Sequence, residues 1–202
     1  MCAERDRTVI IQSPSTALGD NSAEQECPST RPRACAILSL PVRITLTRQQ
    51  ILALLEETPQ RIAMATAGLS ATQARTPPKT GEWSLNDILA HLRACADVGG
   101  EAIARILAED TPTFRAVNPR VHVMETDYLL IDFKTSVRAF AGQRARSLAV
   151  LQRLTPTEWS RSARVIGRST KREESVLSYA HWLARHERAH YPEIERLARR
   201  VR

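Results

Sequence analysis

Leu183-Ala184-Arg185-His186-Glu187-Arg188-Ala189-His190-Tyr191-Pro192-Glu193-Ile194-Glu195-Arg196-Leu197, near the C-terminus of a chain of 202 residues, decides the fold. Leu183, His186, His190, Ile194 and Leu197 recur at steps of three, four, four and three. That spacing marks the buried seam of a helix packed in a bundle. Two seam positions carry imidazoles where aliphatic side chains belong. Four residues apart, His186 and His190 share one helix face and can ligate one divalent transition metal.

Outward from this stretch, the same spacing recurs far upstream. Ser84 reads as an N-cap with Asp87 three residues on, and Ile88, His91, Leu92, Cys95, Gly99, Ile103 and Ile106 form the apolar stripe of a helix ending near Ala108. His91 lies on that stripe. Three buried imidazoles each need polar partners, and one metal ion would satisfy all three. His181 falls about 140° from His186 and 180° from His190 around the helix, so it points away. The depths of His91 and of the His186/His190 pair match best if their two helices run antiparallel.

Two further helices complete the pattern. Thr47-Arg48-Gln49-Gln50 is a capping box that opens a first helix, with a kink expected at Pro59 and a stop at Gly68. A third helix is predicted over Tyr128–Leu154, with Leu130, Val137, Phe140, Leu148 and Leu151 as core candidates. Thr170-Lys171-Arg172-Glu173 reads as the capping box of the fourth. No segment alternates strongly enough to predict a strand. Four helices of roughly 20 to 27 residues indicate an all-α, four-helix bundle. The long connection over residues 110–126 permits an up-down-down-up order.

His186-Glu187-Arg188-Ala189-His190 also spells the zinc-protease signature H-E-x-x-H. That reading fails. Only 12 residues follow His190, and Tyr191-Pro192-Glu193-Ile194 brings neither the glycine nor the further histidine of the extended motif. Glu187 also sits about 100° from His186 around the helix.

Composition bounds the remaining choices. Residues 1–40 are rich in Ser, Thr, Pro and polar side chains and read as a disordered N-terminal tail, leaving one domain over residues 41–202. The four cysteines form no C-x-x-C pair, and no apolar run approaches the roughly 18 residues of a membrane helix. A cytoplasmic protein with free thiols is expected. Residues 115–202 carry 18 basic and 9 acidic side chains. Without a nucleic-acid motif or aromatic stacking platform beside them, they read as a solvated surface rather than a nucleic-acid interface.

The chain from about Thr47 to Leu197 resembles the DinB-like (YfiT-like) superfamily of metalloenzymes. The carrying segments are Gly81-Glu82-Trp83-Ser84-Leu85-Asn86-Asp87-Ile88-Leu89-Ala90-His91-Leu92, then Phe140-Ala141-Gly142-Gln143-Arg144, then His186 to Ile194. The resemblance implies an up-down-down-up bundle with zinc or nickel held by His91, His186 and His190, and a homodimer. It further implies thiol S-transferase or thiol-dependent isomerase chemistry, with a metal-bound thiolate and a low-molecular-weight thiol such as bacillithiol or mycothiol. A metal-dependent hydrolase is the neighbouring expectation. A non-catalytic metal- or ligand-binding stress-response module is the alternative.

Several side chains keep two readings. Glu187 orients a ligand, or it is a surface carboxylate paired with arginine, the commoner case. Arg144 binds an anionic thiol cofactor, or it forms an ion pair within the bundle. Cys95, one turn from His91, is a sulfur ligand or, more commonly, a small buried hydrophobe. Tyr128 lines a pocket or packs.

Overall fold

Helix starts in this chain are written by reciprocal side-chain caps. In the computed structural model, which describes residues 46–167 and 171–202, Thr47 accepts from Gln50 N while Gln50 Oε1 accepts from Thr47 N, opening α1 (Arg48–Ala65). The helix runs through Pro59. Thr66 caps its end and Gly68 follows with φ +79°, a left-handed turn that suits glycine. Ser70 and Gln73 box the short α2 (Ala71–Arg75). Ser84 and Asp87 box α3 (Leu85–Ala108). β1 (Thr113–Arg115) and α4 (Pro119–Met124) occupy the connection that follows. Then come α5 (Phe133–Leu151), α6 (Pro156–Ser160), β2 (Ser162–Ile166), β3 (Lys171–Ser175) and α7 (Val176–Arg200).

The contacts fix the direction of each long helix. Gly99 of α3 faces Leu183 of α7, while His91 faces His186 and His190, so these two run antiparallel. Arg93 donates to Ser136 and Gln143 donates to Asp97, so α3 and α5 run parallel. Ile51 and Leu55 share a cluster with Ala180 and Leu183, and Ile62 shares one with Ile194 and Leu197, so α1 and α7 also run parallel. The order is therefore up-down-down-up, a four-helix bundle with α1 and α3 on one diagonal and α5 and α7 on the other.

Four features depart from the sequence reading. A three-stranded sheet exists: β1 pairs parallel with β2, and β2 pairs antiparallel with β3. Its inward residues, Ala163 and Val165, alternate with outward ones. Lys171–Ser175 is its charged outer strand, not the first turn of a helix, and Glu173 lies opposite Arg164. Thr170 lies outside the described residues, as does the tail expected over residues 1–40. α7 instead starts at Val176, boxed by Ser175 and Ser178. α5 starts at Phe133, where Asp132 accepts from Thr135 N, and Leu130 in the preceding turn is 80% exposed rather than core.

Arg161 joins the two helices that carry the histidines. Its Nε donates to Ile106 O and its Nη2 to Glu109 O, satisfying carbonyls at the end of α3. Its own carbonyl accepts from Val176 N, the first residue of α7.

The apolar core falls into two main clusters. One gathers Ile51, Leu55, Ile103, Leu151, Trp159 and Leu183. The other gathers Ile62, Ile88, Leu92, Phe140, Ile194 and Leu197. Gly99 lets α3 and α7 close on each other: a Cβ there would meet Leu183 Cδ1 at 2.9 Å and its Cγ at 3.0 Å. Gly99→Val is expected to cost about 1–3 kcal/mol by overpacking this contact. Denaturant unfolding measures that loss; an unchanged midpoint would show that the helices can yield there.

Candidate metal centre

His91 comes from the second turn of α3, and His186 and His190 from the middle of α7. The antiparallel packing brings all three together. Ring centroids are 5.1 Å apart for His91 and His186, 5.5 Å for His91 and His190, and 4.7 Å for His186 and His190. His91 Nε2 lies 3.0 Å from His186 Nε2, and Cys95 Sγ lies 3.6 Å from His91 Nε2. Donor atoms of His91, Cys95 and His186 all fall within 4.8 Å of one another. Two nitrogens on one tetrahedral metal stand about 3.3 Å apart, and nitrogen and sulfur about 3.6 Å, from ordinary bond lengths. The nitrogens of His91 and His186 and the sulfur of Cys95 are therefore of the right kind and spacing for a divalent ion, and the His190 ring lies beside them.

Burial keeps these imidazoles neutral, as metal ligands must be. It pushes His91 down to about 3 and His186 to about 4, with neighbouring imidazoles adding to the shift. His190 is lowered too, by burial, against the raising effect of Glu193. Glu193 Oε2 lies 3.5 Å from His190 Nδ1, an outer partner suited to holding a proton on that nitrogen and leaving Nε2 its lone pair. Burial drives the Cys95 thiol up to about 12. Without a metal, Cys95 is a protonated, buried thiol beside His91.

Glu187 is not on the surface. It is 0% exposed and faces Arg144, 1% exposed, with Nη2 and Oε1 2.5 Å apart. The contact is a close charge pair rather than an aligned hydrogen bond: both Glu187 oxygens and all three Arg144 nitrogens lack hydrogen-bond partners among the described residues. Helical geometry gives the reason. Ala180, Leu183, Ala184, Ile194, Leu197 and Ala198 are all buried. At about 100° per residue, Glu187 falls in the middle of their arc and His186 at its edge. The sequence seam was drawn one position to the side. Burial raises the Glu187 carboxyl to about 7, against the pull of Arg144. Of the two readings of Arg144, the described arrangement has the ion pair within the bundle.

Two indoles flank the trio. Trp83, at the entry to α3, lies 5.2 Å from His91, and Trp182 stacks on His186 at 5.6 Å and 22°. Trp182 also lines a cleft of about 1180 Å³ along α3, with Asp97, His122, Gln143 and Tyr179. The cleft and the histidine trio are neighbours that meet at Trp182. Tyr128 donates to Asp97, which lines that cleft, and its ring packs under Arg93.

With fold and site in view, comparison with known proteins places the chain. The family model of the DinB superfamily matches residues 54–194, and the chain belongs to that superfamily. A Geobacillus kaustophilus (strain HTA426) protein named "Putative metal-dependent hydrolase GK0616" is 27% identical over 146 residues, covering 70% of this chain and 80% of its own. The solved structure of YfiT from Bacillus subtilis, described as "a probable metal-dependent hydrolase with an unusual four-helix bundle topology", superposes with a TM-score of 0.61 at 22% identity. It covers 78% of this chain and 91% of its own.

Two outcomes follow for stability. Arg144→Leu leaves Glu187 buried without its countercharge and is expected to cost about 3–5 kcal/mol. Adding Glu187→Leu should recover most of that loss in denaturant unfolding; no recovery would contradict the pairing. The depressed imidazole pKa values set the pH response of the metal-free protein. The unfolded chain takes up protons near 6.5 and the folded chain does not, so this contribution is complete above about pH 6.5 and is lost as pH falls toward 4. The raised Glu187 carboxyl acts oppositely, its contribution lost as pH rises from 4.5 to about 7. Three histidines outweigh one carboxyl. Thermal melts with chelator are expected to show a lower midpoint at pH 5 than at pH 6.5, and an equal or higher one would refute the neutral trio.

Proposed function

We propose that the chain is a divalent-metal-dependent enzyme that transfers a small thiol to an electrophile, with His91, His186 and His190 holding the metal. One observation carries this reading: three neutral imidazoles converge, while the carboxylate that would serve as base in H-E-x-x-H is turned inward to Arg144. A divalent ion held there would supply Lewis acidity, lowering the pKa of a thiol or water bound beside it. A thiol titrates near 8.5 and needs little more than that, whereas water starts far higher and gains most from a positioned base. The residues of this chain then do the rest. Trp83 and Trp182 wall the trio and exclude water, and the cleft beside Trp182 leads a substrate in. Carbon–sulfur bond formation expels a leaving group with its electron pair, and the thiol proton goes to solvent.

Cys95 is the inner wall in this reading, not a ligand, because a fourth protein ligand would close the site. Metal analysis tests the assignment. The wild-type protein and Cys95→Ala are expected to hold one equivalent of zinc or nickel, and His91→Ala, His186→Ala and His190→Ala much less. Retention by the histidine variants would sink the proposal.

Hydrolysis is the second reading, favoured by the names of the Geobacillus and Bacillus relatives. The metal-loaded protein is assayed with a small thiol and an alkyl halide, and separately with an activated ester and no thiol. Metal-dependent thiol alkylation supports transfer. Ester turnover alone would replace it with hydrolysis, and metal binding with neither activity would leave a binding module.

A further inference from the structure

Asp97 holds its carboxylate in the wall of the cleft along α3. Two neutral groups fix it there. Tyr128 Oη donates to Oδ2 at 2.5 Å, and Gln143 Nε2 donates to Oδ1 at 2.6 Å. In making that bond Gln143 leaves its own buried Oε1 without a donor among the described residues. The arginines nearby are turned elsewhere. Arg93, one turn back on α3, donates to Ser136 and packs on the Tyr128 ring. Of the arginines that line the cleft, Arg105 pairs with Glu109 and Arg172 with Glu174; among the described residues, Arg115 and Arg146 form no ion pair with Asp97. His122 is the basic side chain that reaches it, with Nε2 3.9 Å from Asp97 Oδ2, and it is shared: its Nδ1 lies 3.5 Å from Glu125 Oε2. Glu101, one turn further along α3, lines the same cleft. The side chain of Asp97 is 34% exposed, and two hydrogen bonds leave a carboxylate with acceptor sites to spare.

We propose that Asp97 recognises the ammonium group of a small molecule that enters the cleft, so that the protein takes primary amines in preference to neutral molecules of the same shape. This inference rests on the cleft being the way in to the histidines, and not on the reaction carried out there. A carboxylate held by neutral donors in a concave wall directs a negative field into the cleft. Tyr179 and Trp182 line the same cleft, and aromatic faces attract cations. A metal ion fits less well: among the described residues, the donor atoms that converge are those of His91, Cys95 and His186, not those around Asp97. An ammonium needs one carboxylate and no convergent set. Room for the rest of the molecule lies beside Gly100, which also lines the cleft and where a Cβ would meet nothing within 4 Å.

The test uses the zinc-loaded full chain and two near-isosteric probes, phenethylamine and phenethyl alcohol, titrated by calorimetry. The wild-type protein is expected to bind the amine about five- to tenfold more tightly, the span of one charge pair at a partly exposed site. Raising the salt should shrink the preference. Asp97→Asn is expected to bring the amine down to the level of the alcohol while leaving the alcohol and the zinc content unchanged. Asp97→Glu should keep part of the preference. Gly100→Leu, whose new side chain enters the cleft, should weaken both probes. Equal binding in the wild type, no binding of either probe, a preference that survives Asp97→Asn, an equal loss of both probes in that variant, or unchanged binding in Gly100→Leu would overturn the proposal. An amine preference in a protein that turns over neither thiol nor ester supports the role of Asp97 and removes the transfer reading. Thiol transfer without the preference removes the role of Asp97 alone.

Discussion

The charge pair between Arg144 and Glu187 is the constraint around which the bundle is arranged. Both side chains are removed from water across the diagonal that joins α5 and α7. Burying two charges is costly, and the attraction between them repays the cost only at close range. Their meeting therefore fixes how far α5 and α7 stand apart and how each is rotated. Along the chain, Arg144 falls between Phe140 of one apolar cluster and Leu148 of the other, and Glu187 falls between Leu183 and Ile194 in the same way. The core is two apolar blocks with a polar layer between them.

That layer explains where the histidines sit. With Glu187 at the centre of the buried arc of α7, His186 and His190 are carried to its flank, against α3, where His91 comes from the other side. They are dry enough to stay neutral and near enough to the edge to be approached. Gly99 matters for the same reason, because without a side chain there α3 and α7 can close to the separation that the imidazoles require. Charge pair, glycine and histidines are three parts of one arrangement of α3, α5 and α7.

Much of this was legible in the sequence, and the rest was hidden for identifiable reasons. The boxes at Thr47 and Ser84 announce α1 and α3 because capping is local and depends on residues three apart. The imidazole spacing shows which histidines share a face. The β-sheet was not legible, since Lys171–Ser175 is polar throughout and becomes a strand only by pairing with β2, a non-local event. Leu130 looked like core because it is apolar and in phase with α5, yet Asp132 caps the helix after it. Glu187 was hardest to place. A glutamate between arginine-rich turns reads as solvated, and only the position of Arg144 on another helix shows why it is buried.

Arg161 gives the arrangement a remote fixed point. With its side chain on the last carbonyls of α3 and its backbone on the first amide of α7, it joins the two helices that meet at the histidines. Ile106 lies 15 residues beyond His91, roughly 22 Å along the helix axis. The two helices thus behave like a pair of tongs, hinged at Arg161 and gripping at the imidazoles. A small change in angle at the hinge becomes a displacement at the grip. The spacing of the imidazoles is then set in part at Arg161, a residue far from the trio itself.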